Sequence, residues 1–238
     1  AFFNMEKYKA CEDTSLNIED FKGTDCVQAL DLARKLDINA KARIFWKEID
    51  GKVHWYCVAP KFWVPYEQVY NNESKQLGEQ FQRYLNQGLL SVTDGGEIDY
   101  RNILDDVIQS HLETPSTAIP VDPHGATNLS HHLLDEGLSP ITITQNFTNM
   151  SDPMFELEAA INTGRFHHDG NAIMAWQISN VIGKYYKGND DRVMPAKQKR
   201  INKIDGAVAL IMAIGEAMLQ MRTPNEQESI YESGEVGC

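Results

Sequence analysis

The sequence lacks the marks of several large protein classes. Cysteine is scarce: Cys11, Cys26, Cys57 and Cys238 lie far apart and form no CxxC pair, so neither a zinc ribbon nor a disulfide framework is indicated, and a reducing compartment is expected. Long apolar runs are also missing. The longest, Ala207 to Ile214, falls far short of the ~20 residues that cross a bilayer, and the first residues show no basic stretch leading into an apolar one. The expectation is a chain that neither spans a membrane nor is secreted. Positive charge is in deficit: 22 Lys and Arg stand against 34 Asp and Glu, a net charge of −12. Bulk electrostatic binding of nucleic acid is thereby disfavoured, and any such contact must be local.

Motifs are absent too. No GxxxxGK[ST] occurs, and Gly183-Lys184 and Gly188-Asn189 lack the spacing that cradles phosphates, so ATP hydrolysis is not expected. There is no HExxH for a zinc protease, and Ser139, Ser151 and Ser179 lack the flanking glycines of a nucleophile elbow. The last histidine is His168, which leaves an HNH-type site without its final ligand. His131-His132 reads as a surface pair on the polar side of a helix.

What remains is the composition of a globular domain, with 238 residues, 42% of them hydrophobic and 24% charged, enough for one large core or two small ones. Cys26 to Asp31 reads as a short buried strand, Ala40 to Ile49 as a second and Val53 to Ala59 as a third, with Asp50-Gly51 as a hairpin turn. Glu67 to Gln87 has helical apolar spacing at Val69, Leu77, Phe81, Tyr84 and Leu85 and predicts one exposed helix. Leu89 to Thr93 suits a short strand, and Asp99 can cap a helix bearing Ile103, Leu104, Val107 and Ile108. Thr117 to Val121 predicts a strand ending in Asp122-Pro123, followed by a helix over Gly125 to Leu134 and a strand over Ile141 to Thr144. Ser151-Asp152-Pro153 reads as the start of a helix through Ile161, with proline at its first position, and Ala172 to Ile182 as another. Lys184 to Lys203 reads as a basic loop, and Ile204 to Leu219 as an apolar helix beginning at Asp205-Gly206. Trp176 and Met212 to Ile214 are assigned to the core. Residues 1–25 are polar and acidic and read as a linker; residues 223–238 carry four glutamates and no basic residue and read as a disordered acidic tail. The domain proper is expected over residues 26–222, a mixed α/β fold without internal repeats.

Three acids fall where chemistry can gather. Asp31 ends the first strand, Asp122 ends a later one, and Asp205 opens the last helix. Singly, each has a plain role: Asp122 and Asp205 as helix caps and Asp31 as a turn former, caps being far commoner than metal ligands. Together they would repel one another unless cations neutralised them. Two Mg²⁺ or Mn²⁺ ions ~4 Å apart can hold a phosphodiester, one activating water and the other stabilising the leaving oxygen.

The segments Asp31-Leu-Ala-Arg-Lys-Leu-Asp37, Val121-Asp-Pro-His124, Gly164-Arg-Phe-His-His-Asp-Gly-Asn171 with Trp176 and Asn180, and Lys203-Ile-Asp-Gly-Ala-Val-Ala-Leu-Ile-Met212 carry a resemblance. In this order, from about Met5 to Leu219, the chain resembles the nuclease domain of tailed-bacteriophage large terminase subunits. The resemblance implies a ribonuclease H-like mixed sheet, a three-strand antiparallel meander plus parallel strands flanked by helices. It implies a Mg²⁺- or Mn²⁺-dependent endonuclease, with two ions, that cuts concatemeric double-stranded viral DNA during genome packaging and leaves 3′-hydroxyl and 5′-phosphate ends. By matching motifs, Asp31, Asp122 and Asp205 become metal ligands, and Asp37 becomes either a turn residue or an outer metal contact. His124, His168 and Asn171 are candidates for the site wall, a turn and a helix cap being the plainer roles for the last two. Lys197, Lys199, Arg200 and Lys203 are read as phosphate contacts against the plainer alternative of a solvated loop. Implied partners are the ATPase domain of the same full-length protein, the small terminase subunit and the portal protein of the procapsid, in the cytoplasm of an infected bacterial host and with no membrane. Two other functions stay open: a Holliday-junction resolvase or integrase-like nuclease, and a non-catalytic docking domain of the packaging motor.

Overall fold

Asp50 and Gly51 sit at φ 51° and 69°, both left-handed, as a two-residue hairpin turn requires. They join β2 (Asn39–Ile49) to β3 (Lys52–Cys57), and β1 (Cys26–Asp31) runs antiparallel along the other side of β2. The computed structural model describes residues 1–32, 37–123, 127–199 and 201–222. A fourth strand, β4 (Lys61–Pro65), pairs with the first residues of β2, and β5 (Ser91–Thr93) lies parallel to it. Beyond β1, β6 (Ser116–Val121) and then β7 (Pro140–Thr142) run parallel to it, while β8 (Phe166–His168) runs parallel to β3. The result is an eight-stranded mixed sheet; β9 (Val181–Tyr186) and β10 (Asn189–Lys197) form a separate hairpin.

Helices cover both faces. The N-terminal α1 (Met5–Ala10) is followed by α2 (Tyr66–Tyr70) and α3 (Lys75–Asn86), then α4 (Tyr100–Glu113) and α5 (Thr127–Asp135). The last three are α6 (Phe147–Asn162), α7 (Ala172–Ser179) and α8 (Asp205–Arg222). Every residue from Gly206 to Ile214 is buried, the pattern of a helix enclosed on all sides: α8 lies on β1, β2 and β6 and is roofed by α6 and α7. Small side chains at Ala29, Ala40 and Ala42 face it and let it approach closely, and each of its buried Leu, Ile and Met side chains contributes roughly 1.5–3 kcal/mol. The opposite face packs Leu30, Ile119 and Val121 against Ile103 and Val107 of α4 and Leu129 and Leu133 of α5. Among the described residues no helix is long and apolar enough to cross a membrane.

Several elements depart from the sequence expectation. Residues 1–25 do not pack as a linker: Phe3, Tyr8, Cys11 and Phe21 are buried, Phe2 N–H donates to Val181 O at 2.7 Å, and Glu12 bridges to His168. Residues 67–87 break into two helices because Ser74 caps the second, its hydroxyl accepting from Leu77 N–H at 3.3 Å. Pro153 does not open its helix. Asn146 caps α6 seven residues earlier, and Ser151 within it bonds both N–H and C=O of Val193 at 2.7 Å, pinning β10. The basic stretch is mostly a hairpin rather than a loop, and α7 stops at Ser179 to start it. The start of the helix expected from Gly125, and the acidic tail, lie outside the described residues.

Candidate metal centre

The parallel register of β1 and β6 sets two of the acids side by side. Leu30 pairs with Val121; Asp31 is the last residue of β1 and Asp122 the first after β6, so both acids follow directly on that pair. Side chains alternate across a sheet: Leu30 and Val121 point towards α4 and α5, whereas Val27 and Ala29 point to α8, and Asp31 continues that second row. Asp122 is buried at 7% exposure. Both lie at the carboxyl ends of parallel strands, where α/β sheets place ligands.

Asp205 stands at the first position of α8, which packs on β1 and β6, near enough for its charge to act on Asp31. Its height is fixed by the next residue. Gly206 N–H donates to Gln177 Oε1 of α7, and a Cβ at Gly206 would come within 2.7 Å of Phe62 Cε1, so only glycine lets α8 begin this close to the sheet. Asn180 Nδ2 donates to Lys203 O at 2.9 Å, tying the approach to α8 as well.

Electrostatically the acids form one group. Burial, then the charges of Asp205 and Asp122 and more weakly Asp37, push the Asp31 carboxyl well above the usual carboxylate range; a hydrogen bond from Gln145 Nε2 to Asp31 Oδ1 at 3.1 Å opposes this. Asp205 is pushed up to about 7, by burial first and by Asp37 second, while Lys197 and Lys203 pull it down. Its Oδ2 is buried without a hydrogen-bond partner. Asp37 is engaged by Lys203, Nζ to Oδ1 at 2.6 Å. Among the described residues no three His, Cys, Asp or Glu side chains gather tightly enough to grip one ion; the carboxylates act on one another through space, as mutually repelling charges do. A groove of about 620 Å³ opens beside Asp37 and Lys203, walled by Glu67, Asn72 and Leu77.

Residues 3–220 match the family model described as terminase large subunit, endonuclease domain. The chain belongs to this family. It is 55% identical over 237 residues to Protein YmfN of Escherichia coli (strain K12), a match covering 98% of this chain and 52% of that protein. It is 26% identical over 191 residues to the terminase large subunit of Enterobacteria phage HK97, covering 79% and 36%. The chain thus spans about half or less of the curated relatives it matches. The crystal structure of the HK97 bacteriophage large terminase superposes with a TM-score of 0.75 at 20% identity, over 90% of this chain and 43% of that one. The large terminase nuclease of thermophilic phage G20c, in the structure with bound magnesium, gives 0.51 at 8% identity over 82% and 84%. These likenesses show the fold, a ribonuclease H-like mixed α/β sheet flanked by helices.

Placed in this terminase nuclease fold, the other expected site residues divide. Lys197 and Lys199 are exposed at the end of β10. Lys203 is not presented to solvent; it is 9% exposed and its ammonium is spent on Asp37. His168 lies on β8, three strands from β1, stacked on Tyr8 at 4.2 Å with Nε2 bonded to Tyr8 O at 2.9 Å. Asn171 caps α7, accepting from Ile173 and Met174 N–H at 3.0 Å. Neither walls the carboxylates: their side chains serve packing and capping. His124 and Arg200 lie outside the described residues. Sequence reasoning overlooked Gln145 and Gln177; neither sits in a chemical motif, and only the folded chain brings them to the acids.

Proposed function

We propose that this chain is a divalent-metal-dependent endonuclease that cuts concatemeric double-stranded viral DNA during genome packaging. One observation carries the reading: Asp31 and Asp122 directly follow Leu30 and Val121, which pair across the parallel strands β1 and β6, and Asp205, whose Oδ2 is buried and unpartnered, acts on Asp31 by its charge from the start of α8. Such a group is costly unless cations neutralise it, and hard ions that favour carboxylate oxygen, Mg²⁺ or Mn²⁺, fit it. Asp31, Asp122 and Asp205 would hold them, with two ions as the full complement. When bound, such ions supply Lewis-acid activation of water and neutralise phosphate charge. The G20c nuclease with bound magnesium supports the choice of metal.

The chain's own residues do the rest. Gln145 fixes one oxygen of Asp31, and Gln177 sets the start of α8 and with it Asp205. Lys203 cancels the charge of Asp37, which acts as an outer neighbour of the cluster. Lys197 and Lys199, with Arg200 beside them in sequence, would meet DNA phosphates and supply the local attraction that a net charge of −12 denies. Among the described residues no base-reading element stands out, so cutting would be sequence-nonspecific and would leave 3′-hydroxyl and 5′-phosphate ends. An ATPase domain in the full-length protein, the small terminase subunit and the portal would direct it, in the host cytoplasm.

Cleavage of linear duplex DNA with Mg²⁺ and with Mn²⁺ tests this. The wild-type chain should cut, and Asp122→Asn should cut about 100-fold less or worse while remaining folded. A folded wild-type chain inert with both ions overturns the proposal in favour of a docking domain. Branched DNA cut far faster than linear duplex turns it towards a resolvase.

A further inference from the structure

At the end of α8 remote from Asp205 lies a groove of about 490 Å³. Trp55, Met218 and Met221 give it an apolar lining, and Lys52, Arg165 and Arg222 bring positive charge to it. Glu156 contributes the lining's one acid and is already committed, its Oε1 accepting from Arg165 Nη1 at 2.8 Å and from Trp55 Nε1 at 2.9 Å. The groove is therefore cationic on a chain of net charge −12. Methionine side chains are unbranched and polarisable and adapt to a partner's shape. Leu219 beside them is 55% exposed.

The sequence that follows Arg222 complements this surface. Residues 223–238 hold Glu226, Glu228, Glu232 and Glu235, no basic residue, and Ile230-Tyr231 between the two glutamate pairs. The segment starts at the rim, since Arg222 itself lines the groove, and needs no long excursion to reach it. Tethering by a few residues gives an effective concentration in the millimolar range. We propose that the groove at the end of α8 binds residues 223–238 of the same chain, with Ile230 and Tyr231 against Met218 and Met221 and the glutamates against Lys52 and Arg222. The site lies a helix length, ~27 Å, from the carboxylates, and stands or falls apart from the nuclease reading. An acidic segment from elsewhere would reach this surface only by displacing the tail.

A fluorescein-labelled peptide of residues 223–238, followed by anisotropy at low salt, tests it on the full chain. A chain carrying E226Q, E228Q, E232Q and E235Q should bind the peptide at least about tenfold more tightly than the wild type, whose own tail competes. Adding K52E to that neutral-tail chain should cost about tenfold in affinity; R222E serves as a second variant should K52E shift the unfolding midpoint. Equal binding by the wild-type and neutral-tail chains overturns the proposal, as does no binding by the neutral-tail chain or binding indifferent to both K52E and R222E.

Discussion

The two faces of the central sheet treat charge in opposite ways. Along β1 and β2 the side chains alternate: Val27, Ala29, Ala40, Ala42 and Ile44 turn to α8, whereas Gln28, Lys41 and Arg43 lie buried on the other side. The α8 face of β1 is apolar until Asp31, so Asp31 and Asp205 meet a poorly polarisable surround and neighbouring acids, and the proton affinity of these two climbs. The α4 face pairs its charges, although Gln28 Oε1 and Arg43 Nε are buried there without hydrogen-bond partners. Lys41 Nζ contacts Asp106 and donates to Ser110 at 2.6 Å, Arg43 reaches Glu113 at 3.3 Å, and Gln28 bonds Ser116. Burial still lowers Lys41 to about 8, with Asp106 opposing it. One face consumes its charges internally; the other keeps like charges together, and only that face gains from a cation supplied from outside.

The largest effect should come from breaking the paired face. Asp106→Ala leaves an ammonium with no exposed surface facing α4 without its carboxylate, which costs about 3–5 kcal/mol; urea unfolding reads this directly. Replacing both partners, K41M with D106L, should return stability to within ~1 kcal/mol of wild type, since two desolvated charges are then exchanged for packing. A loss below ~1 kcal/mol in Asp106→Ala would show that this pair does not hold α4 to the sheet.

On the α8 face the same kind of change should have the opposite sign. Asp205→Asn removes one of the repelling charges, so without divalent ions at pH 8 its thermal unfolding midpoint should rise, even as DNA cleavage falls by about 100-fold. Should Asp205→Asn destabilise the chain as Asp106→Ala does, the contrast between the faces is wrong.

Legibility in the sequence follows this division. The strand Cys26 to Asp31, the Asp50-Gly51 turn, the strand into Asp122 and the helix from Asp205 each carry a local signature, and local signatures survive without coordinates. The buried polar face does not: Asn39-Ala-Lys-Ala-Arg-Ile44 alternates like a strand with one side in water, and nothing nearby announces that α4, some sixty residues later, will cover it. Lys203 looked free for phosphate because its partner Asp37 comes from another part of the chain. Polar composition hid Phe3, Tyr8 and Phe21 in the apparent linker, and lysines and aspartates hid the β9–β10 hairpin. Gln145 and Gln177 act through long-range hydrogen bonds that no spacing encodes.

The pH dependence of stability sharpens the contrast further. In the unfolded chain an aspartate titrates near ~3.9; folded, Asp205 holds its proton to about 7, and Asp31 shifts in the same direction. The folded state therefore loses stability as pH rises above ~4, and the Asp205 share of the loss is complete once pH passes 7. In EDTA the urea midpoint should be lower at pH 8 than at pH 5.5. Asp205→Asn should shrink that difference, and Mg²⁺ should shrink it in the wild type by stabilising the ionised form. Equal wild-type midpoints at the two pH values would mean that the cluster is far better solvated than its burial implies.

The smallest effect tests a single hydrogen bond within the repelling group. Gln145 is the neutral donor that touches Asp31, at 3.1 Å, and by favouring the ionised carboxylate it works against burial and against Asp205 and Asp122. Gln145→Ala removes one net hydrogen bond, roughly 0.5–1.5 kcal/mol, so kcat/KM should fall about three- to tenfold at pH 7. Because the lost donor leaves Asp31 harder to ionise, the acid limb of the pH–rate profile should move to higher pH and the variant should approach wild-type activity as pH rises towards 9. A uniform loss at every pH would instead mark Gln145 as a packing residue of the loop after β7, with no hold on the charge of Asp31.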